Sequence, residues 1–324
     1  MTGSARRLLW FIAFLAPPVL ASGARPATAE SAQAPMVQGA SGQSDEIIVT
    51  GARNRDEAVR DYVAAITVET DDQLAKFATP ICPASFGLPA GHNEVIAARV
   101  RRIADYVGIG SAGPGCRPNV VIVIAESGGD FVRHLHGERP DLFSALETSA
   151  IRRVMRAEGP VRTWQVIEPR GADGRPMERI SFLDMGGGPP RPVLRGYVLR
   201  GVSPSLTQKP TRQDLALSFI VLDLDAVEGL TLLQIADYAA TRALARTEAA
   251  PMSRRRSILG LFGDTDAGIA PAGELTNWDA AYLRALYRTA NSIRGSQQRA
   301  NIARTMVREL DGRQDPGPER RRDR

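Results

Sequence analysis

The sequence predicts an α+β domain in which a mixed sheet packs against amphipathic helices. Three observations carry this. Two runs, Asn119 to Ala125 (NVVIVIA) and Ala216 to Asp225 (ALSFIVLDLD), are continuous and β-branched, as strands buried on both faces are. Segments around Val59, Ile96, Leu232, Thr276 and Ser296 carry apolar residues at helical spacing. Helices precede and follow the strands without strict β-α alternation, which favours α+β over a doubly wound sheet.

The elements follow in order. Val59, Tyr62, Val63 and Ile66 fall at i, i+3, i+4 and i+7, so a helix is expected from Asp56. A loop containing Cys82 comes next, and a second helix starts near Asn93, its expected cap. Ile96, Val100, Ile103 and Val107 form its apolar face. After the Asn119 to Ala125 strand, Phe131 to Glu158 is helical in pieces, with Pro140 opening a new helix. Val161 to Glu168 and Glu178 to Leu183 alternate as strands around a Gly171, Asp173, Gly174 turn. Gly186 to Pro190 is a breaker, and Tyr197 to Val202 is a short strand. Thr231 and Gln234 form a capping box for a helix lined by Leu232, Ile235, Ala239 and Ala243. Pro251 ends that segment. Thr276 to Thr289 and Ser296 to Leu310 close the domain as helices.

Both ends read differently from this body. Arg6 and Arg7 precede an apolar run from Leu8 to Ala21, broken by Pro17 and Pro18, and Ala27-Thr28-Ala29 offers a cleavage site. This is the pattern of a signal peptide over 1–29. Its apolar core of about 14 residues is short of the ~20 that span hydrocarbon. Residues 30–55 read as a disordered leader with a β-prone stretch, 56–311 as one globular domain, and 312–324 as a disordered basic tail. Periplasmic or secreted localisation follows, with no membrane association after cleavage.

The compartment changes how charge and cysteine are read. The net charge is +5, from 41 basic and 36 acidic residues. Arg6, Arg7 and Arg25 leave with the signal, so the mature chain is near +2. The last twelve residues supply five Arg against three acids, another +2, so the body is close to neutral. No arginine stripe with interleaved aromatics appears, and no nucleic-acid partner is expected. Cys82 and Cys116 are the chain's two cysteines, sit among Pro and Gly, and are expected to pair in an oxidising compartment.

The chemical motifs are incomplete. Gly108 to Gly113 matches G-x-G-x-x-G, but a helix precedes it and a strand follows, the reverse of a dinucleotide site, so a helix-ending turn is expected. His134 and His136, two apart on a helix, point to opposite sides and cannot share a metal. Ser127 follows a strand without a full nucleophile elbow and is expected as a helix cap. Asp223, Asp225 and Asp237 are the acids nearest a strand end and a helix, able to work as acid and base if one is desolvated, with strand-end solvation and an exposed helix turn as the plainer expectation. With Ser127 they are the pocket candidates. No catalytic residue, metal ligand or cofactor is assigned.

Two resemblances arise. The order of buried strand, Ala-rich helix, Ser257-Ile258-Leu259-Gly260-Leu261-Phe262-Gly263-Asp264, then Leu275-Thr276-Asn277-Trp278-Asp279 and Tyr282 to Tyr287 resembles the C-terminal half of zincin-type metallopeptidases. It also resembles an uncharacterised family of secreted bacterial proteins with that layout. The likeness covers Leu217 to Leu310 and implies a zincin-like fold. It places Ala236-Asp237-Tyr238-Ala239-Ala240 where a zincin has H-E-x-x-H, so both ligand positions are alanine and the peptidase chemistry is not carried over. Separately, Glu46 to Gly51 (EIIVTG) resembles the segment through which outer-membrane receptors engage TonB by strand addition. The expected function is an exported, non-catalytic binding or assembly protein. The alternatives are a hydrolase assembled from Ser127, His92, His134 and Asp223, and a TonB-interacting periplasmic protein.

Overall fold

In the computed structural model, residues 52–143, 146–184, 191–199, 201, 205, 208–248, 256–263 and 270–312 are described. The expected signal peptide, the leader up to residue 51 with Glu46 to Gly51, the Gly186 to Pro190 breaker and the tail from Arg313 lie outside them, whereas residues 52–55, expected as the end of the leader, belong to the first helix. The fold is α+β, with eight α-helices among the described residues.

The chain opens with α1 (Ala52–Ile66) and two short strands, β1 (Glu69–Thr70) and β2 (Gln73–Leu74), paired with each other. A crossover follows: β3 (Pro83–Phe86), α2 (Ala90–Val107) and β4 (Val120–Ala125). Next come α3 (Gly128–Glu138), a 3₁₀ turn (Pro140–Phe143) and α4 (Thr148–Arg156). Three antiparallel strands follow, β5 (Val161–Gly171), β6 (Glu178–Asp184) and β7 (Arg191–Val198), and then the long β8 (Thr211–Asp223). The chain ends in α5 (Leu224–Val227), α6 (Leu232–Leu244), a 3₁₀ turn (Ile258–Phe262), α7 (Asn277–Arg288) and α8 (Gly295–Leu310).

The main sheet has the order β3-β4-β8-β5. β3, β4 and β8 run parallel, and β5 runs antiparallel to β8. β6 and β7 form a separate hairpin. Period-two alternation sends Ile220 and Leu222 of β8 to one face and Phe219 and Val221 to the other. The first face carries the larger core, with α1, α2, α6, α7 and α8 on it. The second carries α3, the Pro140 turn and α4. On that side Trp164 stacks between Phe143, with centroids 4.9 Å apart, and Phe219, at 4.4 Å.

Local chemistry explains the boundaries and corrects several expectations. The strand β3 stands where a loop is expected: it is four residues long, opens on Pro83 and ends before Gly87. Gly87 sits at φ +100, and a Cβ there would lie 1.8 Å from the carbonyl oxygen of Ile124, so only glycine lets β3 leave the sheet at this point. The helix α2 begins at Ala90 rather than Asn93. Asn93 instead turns back, accepting from Ser85 Oγ at 3.1 Å and donating to the Leu88 carbonyl at 2.5 Å. Gly108 ends α2 in the left-handed conformation, as its helix-ending turn requires. The strand β7 starts at Arg191, upstream of the expected Tyr197, and β8 starts at Thr211, upstream of Ala216. The capping box of Thr231 and Gln234 is present, and Thr276 with Asp279 makes a second one at α7.

The disulfide expected from the sequence forms. Cys82 and Cys116 are bonded, with Cα atoms 6.0 Å apart. It ties the start of β3 to the loop that feeds β4.

Candidate functional site

In open sheets with parallel strands, ligands bind beyond the carboxyl ends where successive connections leave on opposite faces. Here that place lies between β4 and β8, whose ends pair through Ala125 and Asp223. The connection after β4 enters the smaller core through α3, and the one after β8 enters the larger core through α6. Ser127, Asp223 and Asp225 all lie at this end.

The polar groups there are occupied with one another. Ser127 caps α3, its Oγ accepting from the Asp130 amide at 3.2 Å. The Gly128 amide donates to Asp223 Oδ1 at 2.6 Å, and Arg162 Nη1 donates to the same oxygen at 3.1 Å. Asp223 thus takes the position an anion would take at the start of α3. A Cβ at Gly128 would lie 2.6 Å from Asp223 Oδ1, so a larger residue there would push the carboxylate off the amide. The hydrogen bond from Ser127, and then Arg133, hold the exposed Asp130 carboxyl below its ordinary range. Asp225 is exposed on α5. His92 and His134 are exposed on α2 and α3, and among the described residues no hydrogen bond joins any two of Ser127, His92, His134 and Asp223. His136 lies edge-on to Phe143 at 5.1 Å.

Asp237 departs most from expectation. Rather than an exposed helix turn, it is fully buried. Arg99 of α2 reaches it with two donors, Nε at 2.6 Å and Nη2 at 2.9 Å, and the Leu275 amide adds a third at 2.6 Å. This fork geometry locks α6 to α2 and to the segment entering α7. The hydrogen bond to Asp237 raises the Arg99 pKa still further. The flanking Ala236 and Ala240 have no exposure, so they offer neither a donor atom nor an opening for a zinc ion, and the zincin ligand set does not fit this helix. Among the described residues no cluster of three or more His, Cys, Asp or Glu could hold a metal.

Two further buried polar groups, neither singled out by the sequence, are structural ties. Asp279 has no exposure and accepts from Tyr62 Oη at 2.9 Å, Ser257 Oγ at 2.5 Å, the Ile258 amide at 2.8 Å and Thr276 Oγ1 at 2.7 Å. Lys76 is buried and donates Nζ to the carbonyls of Leu286, at 3.0 Å, and Thr289, closing the end of α7. Burial, then Arg212, lowers its pKa to about 8.

An open recess lies elsewhere, against α8. A groove of about 670 Å³ is lined by α1, the end of α7 and α8. Ile302, Ala303 and Met306 face inward from α8, which leaves Asn301, Arg304, Thr305 and Arg308 on the outward stripe at i, i+3, i+4 and i+7. Arg60 from α1 and Arg288 from α7 join Arg304 and Arg308 in the lining, where Asp56 is the one acid among the described residues. Arg288 is shared with Glu309 at 2.9 Å. Arg304 donates to neutral Asn301 at 2.5 Å, and Arg60 makes no hydrogen bond or ion pair with the described residues. Like charges gathered on one recess repel one another. A bound anion removes that repulsion, and guanidinium forks suit carboxylate or phosphate. A second recess of about 400 Å³ shares Ala300, Asn301 and Arg304 with the first and adds Gln208, Ile293 and Gln297.

Only the spacing of Arg304 and Arg308 on one helix was visible in the sequence. Arg60 and Arg288 reach the groove from helices far away in the chain. No helix among the described residues is long and apolar enough to cross a membrane. Comparison with family models, curated proteins and solved structures gives no match to this chain.

Proposed function

We propose that the chain is an exported, non-catalytic binding protein whose ligand is an anion held in the α1–α7–α8 groove. The observation that carries this is the convergence of Arg60, Arg288, Arg304 and Arg308 on one recess, where Asp56 is the one acid among the described lining residues. The Cys82–Cys116 disulfide supports an oxidising compartment, in keeping with the signal-like start of the sequence. The polar groups at the β4–β8 end support a structural role there, because Asp223 engages the amide and guanidinium donors that a ligand would need.

Isothermal titration calorimetry with citrate and with inorganic phosphate tests the proposal, using the wild type and the R304E/R308E variant. Both arginines are exposed, so each is worth about 0.5–1 kcal/mol to a bound anion. The double reversal is expected to weaken binding by at least roughly tenfold. Raising the salt is expected to weaken the wild type as well. Absence of any anion binding at millimolar concentration, or equal affinity in the variant, overturns the proposal.

A further inference from the structure

We infer that the ligand is an acidic peptide, bound extended along α8 with its carboxylates at the arginine end and its main chain across the amide end. This rests on the anion-binding reading and adds the ligand's class. The two recesses form one continuous track, because Ala300, Asn301 and Arg304 line both. Charge is graded along it. Four arginines line the first recess, whereas the second shares only Arg304 with it and adds the uncharged Gln208, Gln297 and Ile293. A compact anion such as phosphate uses the first end and has no need of the second.

Carboxamides donate and accept at once, which matches the alternating C=O and N–H groups of an extended main chain. Gln297 makes no side-chain hydrogen bond with the described residues, and neither does Gln208, whose backbone amide donates to Ser205 Oγ. Asn301 uses its oxygen for Arg304 and keeps its amide hydrogens for a ligand carbonyl. From Gln297 to Arg308 the helix rises ~16 Å, the span of about five extended residues. Among the described residues no aromatic side chain lines either recess to offer a sugar or a nucleobase a stacking partner.

The probes are acetyl-Gly-Gly-Ala-Glu-Glu, acetyl-Glu-Glu, citrate and trigalacturonate, titrated calorimetrically into the full chain. The pentapeptide is expected to bind at least tenfold tighter than acetyl-Glu-Glu. The Q208A/Q297A variant is expected to erase that gain while leaving acetyl-Glu-Glu unchanged, and R304E/R308E to weaken both. Circular dichroism confirms that each variant is folded. If citrate and acetyl-Glu-Glu bind but the longer peptide gains nothing, the peptide inference falls and the anion reading stands. An equal, glutamine-dependent gain for trigalacturonate assigns the track to an acidic saccharide and overturns the inference. If no probe binds, both fall together.

Discussion

Replacing Arg99 with leucine measures how far Asp237 depends on its cation. The Asp237 carboxylate has no exposure, and its donors are the two Arg99 nitrogens and the Leu275 amide. In R99L only the neutral amide remains. Stranding a buried charge costs about 3–5 kcal/mol, set against a total stability on the order of 5–15 kcal/mol. The Arg99 side chain is 23% exposed, so water reaches one end of the pair, and the lower part of that range applies. About 3 kcal/mol is the expected loss. Urea unfolding followed by the fluorescence of Trp164 and Trp278 reads it as a lower midpoint at unchanged slope. The reverse change, D237L, leaves a guanidinium that can turn toward solvent and toward Glu274, now 3.8 Å away, and strands the Leu275 amide. It is expected to cost about 2 kcal/mol, mostly for that amide. The double variant replaces the pair by apolar groups but still strands the Leu275 amide, so it is expected to recover only about 1 kcal/mol of the R99L loss. A loss under about 1 kcal/mol for R99L, or a double variant no more stable than R99L, refutes a desolvated pair.

Two further outcomes are expected. Reducing the Cys82–Cys116 bond, which closes a separation of 34 residues, lowers stability by about 4 kcal/mol on the chain-entropy view; an unfolding midpoint unmoved by dithiothreitol contradicts this. Lys76, with its folded pKa depressed to about 8, is charged in the unfolded chain but increasingly neutral in the folded one as pH rises above that value. The folded state therefore binds fewer protons between there and the unfolded value of ~10.4, and the wild type gains up to about 3 kcal/mol over K76M across that window. A wild-type minus K76M stability difference that stays flat or falls with pH rules this out.

What could be read from the sequence was what local pattern governs. Thr231 and Gln234 announced α6 because a capping box is a four-residue device. The runs at β4 and β8 announced a doubly covered sheet because strands buried on both faces show no alternation. The strand β3 escaped notice because it has four residues, opens on proline, and owes its place to parallel pairing with β4. The burial of Asp237 escaped for a related reason. A single apolar face was visible on α6, yet Ala236, Ala239, Ala240 and Ala243 are small enough for the helix to be enclosed on every side. The carboxylate tolerates this because Arg99 arrives from 138 residues upstream. The groove is equally non-local, since its arginines come from α1, α7 and α8.

The hold of the last helices on α1 bears on the order in which the chain can fold. Tyr62 reaches Asp279 across 217 residues, and Arg55 reaches Asp311 across 256. A ribosome releases α1 long before either partner exists, so Val59, Tyr62, Val63 and Ile66 stand as an uncovered apolar stripe for most of synthesis. Closing that loop costs about 1.6 kcal/mol more in chain entropy than closing the 34-residue disulfide loop. The sheet and α2 can therefore assemble first, with α1 docking as a final clasp. A chain cut before α7 is left with α1 unclasped and with the carbonyl cap of Lys76 missing. Losing the last seventh or so of the protein is thus equivalent to unlatching its beginning.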